Sequence, residues 1–334
     1  MSQGLPYYLE FIKQFPDIKS LASASPDAVM KVWQGLGYYT RARKMQEAAK
    51  IVHEQYNDTF PGDYESLLKI PGIGPYTAAA IASFAYREPV PVVDGNVIRV
   101  LSRLFGLNHD PGSSKGKRLF HQTASEIIDT HRPGTFNQAI MEFGATSCLP
   151  RNPLCALCPL REACYAFKEN KVDALPVKKP KKTTRKRYFH YLVIILNNRV
   201  LLRRREQQDI WRSLYEFPLV ETAGNVPPGK LTGLKEFRDF FGTGLPGTRS
   251  ELPGHKDQAR QSGKISHSGI YKHILSHQQI IARFYLVQLT GKIVLDSTGF
   301  IPVKPEDLSD FPLPRLMDRF LESKEWAEWR SSGG

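Results

Sequence analysis

All four cysteines of this 334-residue chain fall between positions 148 and 164. The stretch reads Cys148-Leu-Pro-Arg-Asn-Pro-Leu-Cys155-Ala-Leu-Cys158-Pro-Leu-Arg-Glu-Ala-Cys164, with six, two and five residues between successive thiols. Four unrelated buried thiols would be spread along the chain. Four packed into one loop can close a tetrahedral site around one ion or one cluster, and that fixes the loop's conformation. Spacing leaves zinc and a [4Fe-4S] cluster both open. Zinc sites more often pair two short knuckles, and here only Cys155 and Cys158 form one. The N-terminus lacks the charge-then-apolar pattern of a secretion signal, so the expected location is cytoplasmic, where thiols stay reduced. Metal is therefore the expectation, and disulfides are not.

The length suits about two domains. Hydrophobic residues make up 41% of the chain, and no segment approaches the ~20 apolar residues of a membrane span. Lys and Arg outnumber Asp and Glu by 46 to 33, a formal charge of +13. Such an excess either keeps the protein soluble or marks a polyanionic partner, most simply nucleic acid. The first half reads helical: a cap, proline and acid at Ser25-Pro26-Asp27 open a helix running to Gly35, and Tyr39–Tyr56 is amphipathic. Pro75–Tyr86, Gly95–Phe105 and Phe136–Thr146 are further helices. The run Lys178-Lys-Pro-Lys-Lys-Thr-Thr-Arg-Lys-Arg187 carries seven positive charges and no acid. It reads as a solvated linker with weak affinity for phosphates. Beyond it, Tyr188–Leu196 and Val200–Arg203 form a hairpin about Asn197-Asn198. Leu231–Phe241 reads as a helix and Ile280–Leu289 as a strand. The expected fold class is multidomain, α and α+β: an all-α domain over 1–147, a cysteine loop over 148–165, a basic linker over 166–187 and a smaller α+β domain over 188–325.

Three further motifs bear on function. In Leu68-Lys-Ile-Pro-Gly72-Ile-Gly74-Pro-Tyr76-Thr-Ala78, two glycines stand between two helices. They form either an ordinary helix–helix turn or a close approach to an anion such as a DNA phosphate, beside free N–H groups. In Val92-Val-Asp94-Gly-Asn-Val-Ile-Arg-Val100, Asp94 falls where a helix begins, so it is an N-cap. A helix N-terminus favours a charged carboxylate, and such a group can also stabilise developing positive charge. In Trp33-Gln-Gly-Leu-Gly-Tyr38-Tyr-Thr-Arg41-Ala-Arg43, paired aromatics precede two arginines. That is either a helix break with one ring in the core, or a wedge between bases with cations for phosphate.

Together, in this order, the motifs resemble the helix-hairpin-helix DNA glycosylases that carry an iron–sulfur loop. The match rests on the Pro-Gly-Ile-Gly hairpin, on Asp94 eighteen residues after Tyr76, and on the cysteine spacing. The resemblance implies a [4Fe-4S] cluster on Cys148, Cys155, Cys158 and Cys164, and DNA contact by Gly72, Gly74, Tyr38, Arg41 and Arg43. Endonuclease III-like members carry a lysine nucleophile where this chain has Tyr76, and a phenol forms no Schiff base. Gly35-Leu-Gly-Tyr38-Tyr39 and a second domain containing Trp211-Arg-Ser-Leu-Tyr-Glu-Phe-Pro218 are similar to the adenine DNA glycosylase (MutY) branch. In that branch a Nudix-like domain inspects 8-oxoguanine, partly through a Phe-Ser-His motif. The matching residues here are Leu275, Ser276 and His277, so the ring is lost and the hydrogen-bonding groups stay. True Nudix hydrolases need paired glutamates; Leu234-Lys-Glu-Phe-Arg-Asp-Phe-Phe-Gly242 has too few acids, which implies binding without pyrophosphate hydrolysis.

The resemblance implies a monofunctional, monomeric enzyme of base-excision repair. It would remove adenine opposite 8-oxoguanine, or opposite guanine, in double-stranded DNA, with Asp94 as a catalytic carboxylate and Tyr76 in the nucleophile's position. One element departs from the family. The general acid is a glutamate just before a Leu-Gln-Gln-Thr segment leading into the Gly-Leu-Pro-Tyr-Tyr region. This chain starts Met1-Ser-Gln-Gly4-Leu-Pro-Tyr-Tyr8, and reads as N-terminally truncated. Loss of such an acid costs about 10²–10⁴-fold, so little activity is expected. The alternatives are a mispair-binding remnant without turnover and, further off, an endonuclease III-like glycosylase.

Overall fold

In the computed structural model, residues 4–177, 184–235, 237, 266–289 and 299–332 are described. The chain divides into two compact units, one of residues 44–181 and the other of residues 1–43 with 182–334. One is helical, the other is built on a mixed sheet, and the fold is multidomain, α and α+β.

Helices α1 (Leu5–Gln14), α2 (Ile18–Ser23) and α3 (Pro26–Val32) open the chain. The start of α3 is as the sequence dictates: the Ser25 hydroxyl accepts from Ala28 N at 3.1 Å, with Pro26 next. The helix stops at Val32, earlier than expected, because the chain turns through Gly35 and Gly37, both at positive φ. Helix α4 (Tyr39–Tyr56) follows.

The helical unit holds the rest of α4, then α5 (Tyr64–Leu68), α6 (Pro75–Ala85), α7 (Gly95–Phe105), α8 (Ser114–Ile127), α9 (Pro133–Thr146) and the short α10 (Tyr165–Lys168). Val97, Leu101, Phe120 and Ala124 form a buried cluster, with Ile140 and Met141 packed against it. Buried Asn137 of α9 donates to Ser83 Oγ and Val90 O, both at 2.9 Å, and accepts from Val92 N at 3.0 Å. One side chain thus fixes α6, α9 and the extended segment that delivers Asp94. Gly144 lets α9 approach that point: a Cβ there would stand 2.8 Å from Asn96 Cβ.

The sheet unit begins at β1 (Arg185–Leu196), followed by β2 (Arg199–Arg204), β3 (Tyr215–Glu216), β4 (Leu219–Thr222), β5 (Ser266–His267), β6 (Tyr271–Ile274), β7 (Gln278–Leu289) and β8 (Phe300–Val303). The chain then ends on α11 (Arg315–Leu321) and α12 (Lys324–Ser332). The strand path is β3-β2-β1-β7-β5, with β4 on β1, β6 on β7 and β8 on β2. β1 and β7 run parallel over their whole length, from Arg185 beside Gln278 to Leu196 beside Leu289. Leu192, Ile194, Leu201, Leu231, Phe237, Tyr285 and Val287 form one core. Phe284 stacks on Phe320 of α11 with centroids 3.9 Å apart.

Three features differ from the sequence-based expectation. The strand starts at Arg185, inside the basic run, because Arg187 is buried and its charge is met. Its guanidinium donates to both oxygens of Asp209 at 2.8 and 2.7 Å and of Glu221 at 2.7 and 2.6 Å. Of the helix expected over Leu231–Phe241, Leu231–Gly233 belongs to a 3₁₀ helix spanning Pro228–Gly233, Lys235 and Phe237 are helical, and residues 236 and 238–241 lie outside the described residues. Finally, residues 1–43 cluster with 182–334. Asp27 bonds Arg204 and the Tyr215 hydroxyl at 2.9 Å each, and Gln34 donates to Asp318 at 2.7 Å. Burial pushes the Asp318 carboxyl up to about 6.

Candidate active site and cysteine loop

Asp94 is the N-cap of α7. Its Oδ1 accepts from Asn96 N and Val97 N, both at 2.8 Å, and its Oδ2 accepts from Asn96 Nδ2 at 2.9 Å. Three N–H donors therefore fix the carboxylate, and the capping and charge-placing readings describe one geometry.

The chain of contacts does not end there. Asn96 Oδ1 accepts from Arg99 Nη2 at 2.9 Å, and the same nitrogen donates to Gly144 O at 2.6 Å. Arg99 Nε donates to Cys148 O at 2.7 Å. Asp94 is thus joined through two side chains to the first cysteine of the loop. One turn later, Arg103 donates to Leu149 O at 2.7 Å, to Val172 O at 3.0 Å and to Leu175 O at 3.2 Å, and lies 3.4 Å from Cys148 Sγ. Arg99 and Arg103 are 9% and 3% exposed. Neither was singled out from the sequence. The available signal was two arginines four residues apart on an otherwise apolar helix.

All four cysteines are free and half-buried, and all four line one cavity. Its other walls are Arg103 and apolar side chains including Val100, Leu104, Phe143 and Leu160. Burial raises the Cys155 thiol pKa, and the thiols of Cys148, Cys158 and Cys164 raise it further. Among the described residues, no three or more His, Cys, Asp or Glu side chains stand in an arrangement for a single metal ion.

The hairpin glycines serve different ends. Gly72 has φ +86°, and a Cβ there would meet Lys44 Cβ at 2.6 Å. The turn itself requires it. Gly74 has φ −91° and caps α6 without a side chain. Nothing within 4 Å would meet a Cβ there. Pro75, Tyr76 and Thr77 are exposed around it. The Tyr76 hydroxyl has one weak contact, 3.9 Å to Met141 Sδ.

In the other unit, Tyr39 is buried while Tyr38 is 74% exposed at φ 49°, with the exposed Arg41 guanidinium 5.7 Å from its ring centroid. The paired aromatics thus divide: one ring in the core, one outside. Arg43 is committed within the fold, donating to Arg212 O at 2.6 Å and Thr40 Oγ1 at 3.0 Å. Leu275–Gln278 is a tight turn between β6 and β7, closed by Leu275 N on Gln278 O at 2.8 Å. Leu275 is half-buried, whereas Ser276 and His277 are exposed and 3.1 Å apart through Oγ and Nδ1.

Comparison with known proteins finds similarity in both units. Residues 2–126 match the HhH-GPD superfamily of base excision DNA repair proteins, and residues 190–323 match the NUDIX domain. The adenine DNA glycosylase of Buchnera aphidicola subsp. Schizaphis graminum is 37% identical over 66% of this chain and 63% of its own length. That of Schizosaccharomyces pombe is 41% identical over 50% of this chain and 36% of its own, and the human one 45% over 48% and 30%. A solved thermostable thymine-DNA glycosylase is similar at TM-score 0.46 and 24% identity, covering 50% of this chain and 76% of that one. The chain is thus similar to the adenine DNA glycosylases, with one segment that matches each of the two domain models. It spans less than two thirds of the length of these adenine DNA glycosylases. Among the described residues, no helix is long and apolar enough to cross a membrane.

Proposed function

We propose that this chain serves base-excision repair by recognising adenine opposite 8-oxoguanine in duplex DNA and stabilising the charge that develops as adenine departs. The observation that carries this reading is Asp94, held by three N–H donors at the start of α7 inside the segment that matches the repair superfamily. Chemistry on a base inside a duplex requires the nucleotide to be extruded. Breaking the glycosidic bond leaves positive charge on the sugar, which a fixed carboxylate stabilises without reorganising. The departing adenine also needs a proton. Asp94 cannot easily be both the charged stabiliser and the acid, so a second group must supply it. The 334 residues contain no Glu followed by Leu-Gln-Gln-Thr.

The remaining residues have supporting roles in this reading. Gly74 and the exposed first turn of α6 take a DNA phosphate, with Gly72 shaping the turn. Tyr38 is the wedge between bases, with Arg41 beside it. The four thiols and apolar walls of the loop cavity fit a [4Fe-4S] cluster: four soft donors around one space, with the Arg103 guanidinium to balance thiolate charge. Cys148, Cys155, Cys158 and Cys164 would hold it, and its part is to tie residues 148–164 into one rigid loop. Through Arg99, that loop also orients Asn96 and hence Asp94.

Because Tyr76 offers a phenol and not an amine, no imine with an abasic sugar forms there. Borohydride treatment with abasic DNA is expected to trap no adduct at this position. A trapped complex that disappears in Tyr76→Phe would show the reverse. Lesion reading is tested at the β6–β7 turn. Ser276→Ala combined with His277→Ala is expected to weaken the preference for 8-oxoguanine:adenine over guanine:adenine about tenfold or more, on the order of two lost hydrogen bonds. General DNA affinity should hold. Equal losses on both duplexes in a binding titration would assign these residues to the fold alone.

A further inference from the structure

Strand register sorts the residues of β1, β7, β6 and β4 onto two faces, since cross-strand partners share a face. On one face lie Arg187, Phe189, Tyr191, Ile280, Ala282 and Phe284, all buried. Acid on that side is used up: Glu221, paired in register with Phe189, bonds Arg187. The opposite face presents two cross-strand rows. The first is Lys186, Gln279 and Ile274; the second is Thr222, Tyr188, Ile281 and Lys272. Neither row contains a carboxylate. Lys186 and Lys272 are exposed, and neither ammonium has an ion pair among the described residues. Ile274 is 76% exposed, an unusual position for a β-branched apolar side chain. Tyr188 and Ile281 are half-buried between the two lysines.

The rows start at the turn. β1 and β7 are parallel and begin side by side, and Arg185 N donates to His277 O at 3.4 Å. Ser276 and His277 therefore stand at the end of the face from which both rows run. Two strand spacings and one row separate Lys186 from Lys272, about 12 Å between backbones, so they reach different phosphates. An apolar floor with flanking cations suits deoxyribose and phosphate.

We infer that this face of β1, β7 and β6 is a track for the sugar–phosphate backbone next to the base read at Ser276 and His277, with Lys186 and Lys272 on phosphates and Ile274, Ile281 and Tyr188 against sugars. The direction of the track rests on the lesion reading proposed above; the phosphate contacts do not. The test is binding of the full chain to 8-oxoguanine:adenine, guanine:adenine and fully paired duplexes across a sodium chloride series. Each phosphate contact contributes about 0.9 to the slope of log affinity against log salt. The Lys186→Ala/Lys272→Ala double variant is expected to reduce that slope by roughly 2 on all three duplexes, with the preference among them unchanged. Lys186→Arg/Lys272→Arg should keep the original slope. An unchanged slope, or a loss confined to the 8-oxoguanine duplex, would overturn the track. If the unmodified chain shows no preference for 8-oxoguanine yet the slope still falls, the lesion reading fails and the track stands.

Discussion

Asp94→Asn is expected to leave the fold almost untouched and to cut adenine release by roughly 10²–10³-fold, the usual effect of deleting one preorganised electrostatic stabiliser. Asparagine caps a helix about as well as aspartate, so the bonds from Asn96 N and Val97 N keep an acceptor. Only the charge and one carboxylate oxygen are lost. Asp94→Ala removes the cap as well and should cost about 1 kcal/mol of stability in addition. The pair of variants separates the two roles of the residue. Thermal melts report the cap, and single-turnover adenine release reports the charge. Equal rates for the unaltered chain and the Asp94→Asn variant would leave Asp94 as a cap and nothing more.

The second large effect is expected at Arg103→Leu. This guanidinium is 3% exposed and bonds three carbonyls, of Leu149, Val172 and Leu175, close to Cys148 Sγ. Leucine fills part of the volume and satisfies none of those acceptors. Leaving buried carbonyls unpaired costs about 1–3 kcal/mol each, so urea unfolding should show a loss of about 3 kcal/mol or more. Iron content of anaerobically purified protein should fall with it, from about four per chain, together with the brown absorbance. Arg103→Lys, which keeps the charge but not the fork of donors, should fall between. Full stability and full iron in Arg103→Leu would show that the loop is held by other contacts.

What was legible in the sequence was local. The caps at Ser25 and Asp94 act over two or three residues, and both are seen as read. The strand at Tyr188–Leu196 was visible from its apolar run between a charge cluster and an Asn-Asn turn, and Asn197 and Asn198 do take positive φ. What was hidden depends on partners far along the chain. Arg187 looks like linker charge until Asp209 and Glu221 are brought to it. Arg99 and Arg103 look like the polar side of α7, yet both turn inward because the carbonyls of Gly144, Cys148, Leu149 and Val172 need donors. Arg43, read as a phosphate contact, spends two nitrogens on Arg212 O and Thr40. The face carrying Lys186, Lys272 and Ile274 emerges only when the register of three strands is known, because the residues lie about 90 positions apart in sequence.

The central claim of the proposed function is a division of labour: Asp94 supplies a fixed carboxylate, and a glutamate followed by Leu-Gln-Gln-Thr supplies the proton. Its most direct test is single-turnover adenine release from an 8-oxoguanine:adenine duplex. The 334-residue chain is compared with the same chain extended at its N-terminus by a segment carrying Glu followed by Leu-Gln-Gln-Thr. A gel shift and a circular-dichroism melt on both proteins establish equal binding and folding. The account predicts binding by both and release about 10²–10⁴-fold faster in the extended protein. Release at comparable rates from the two would contradict it, and would place the acid on a residue already within the chain.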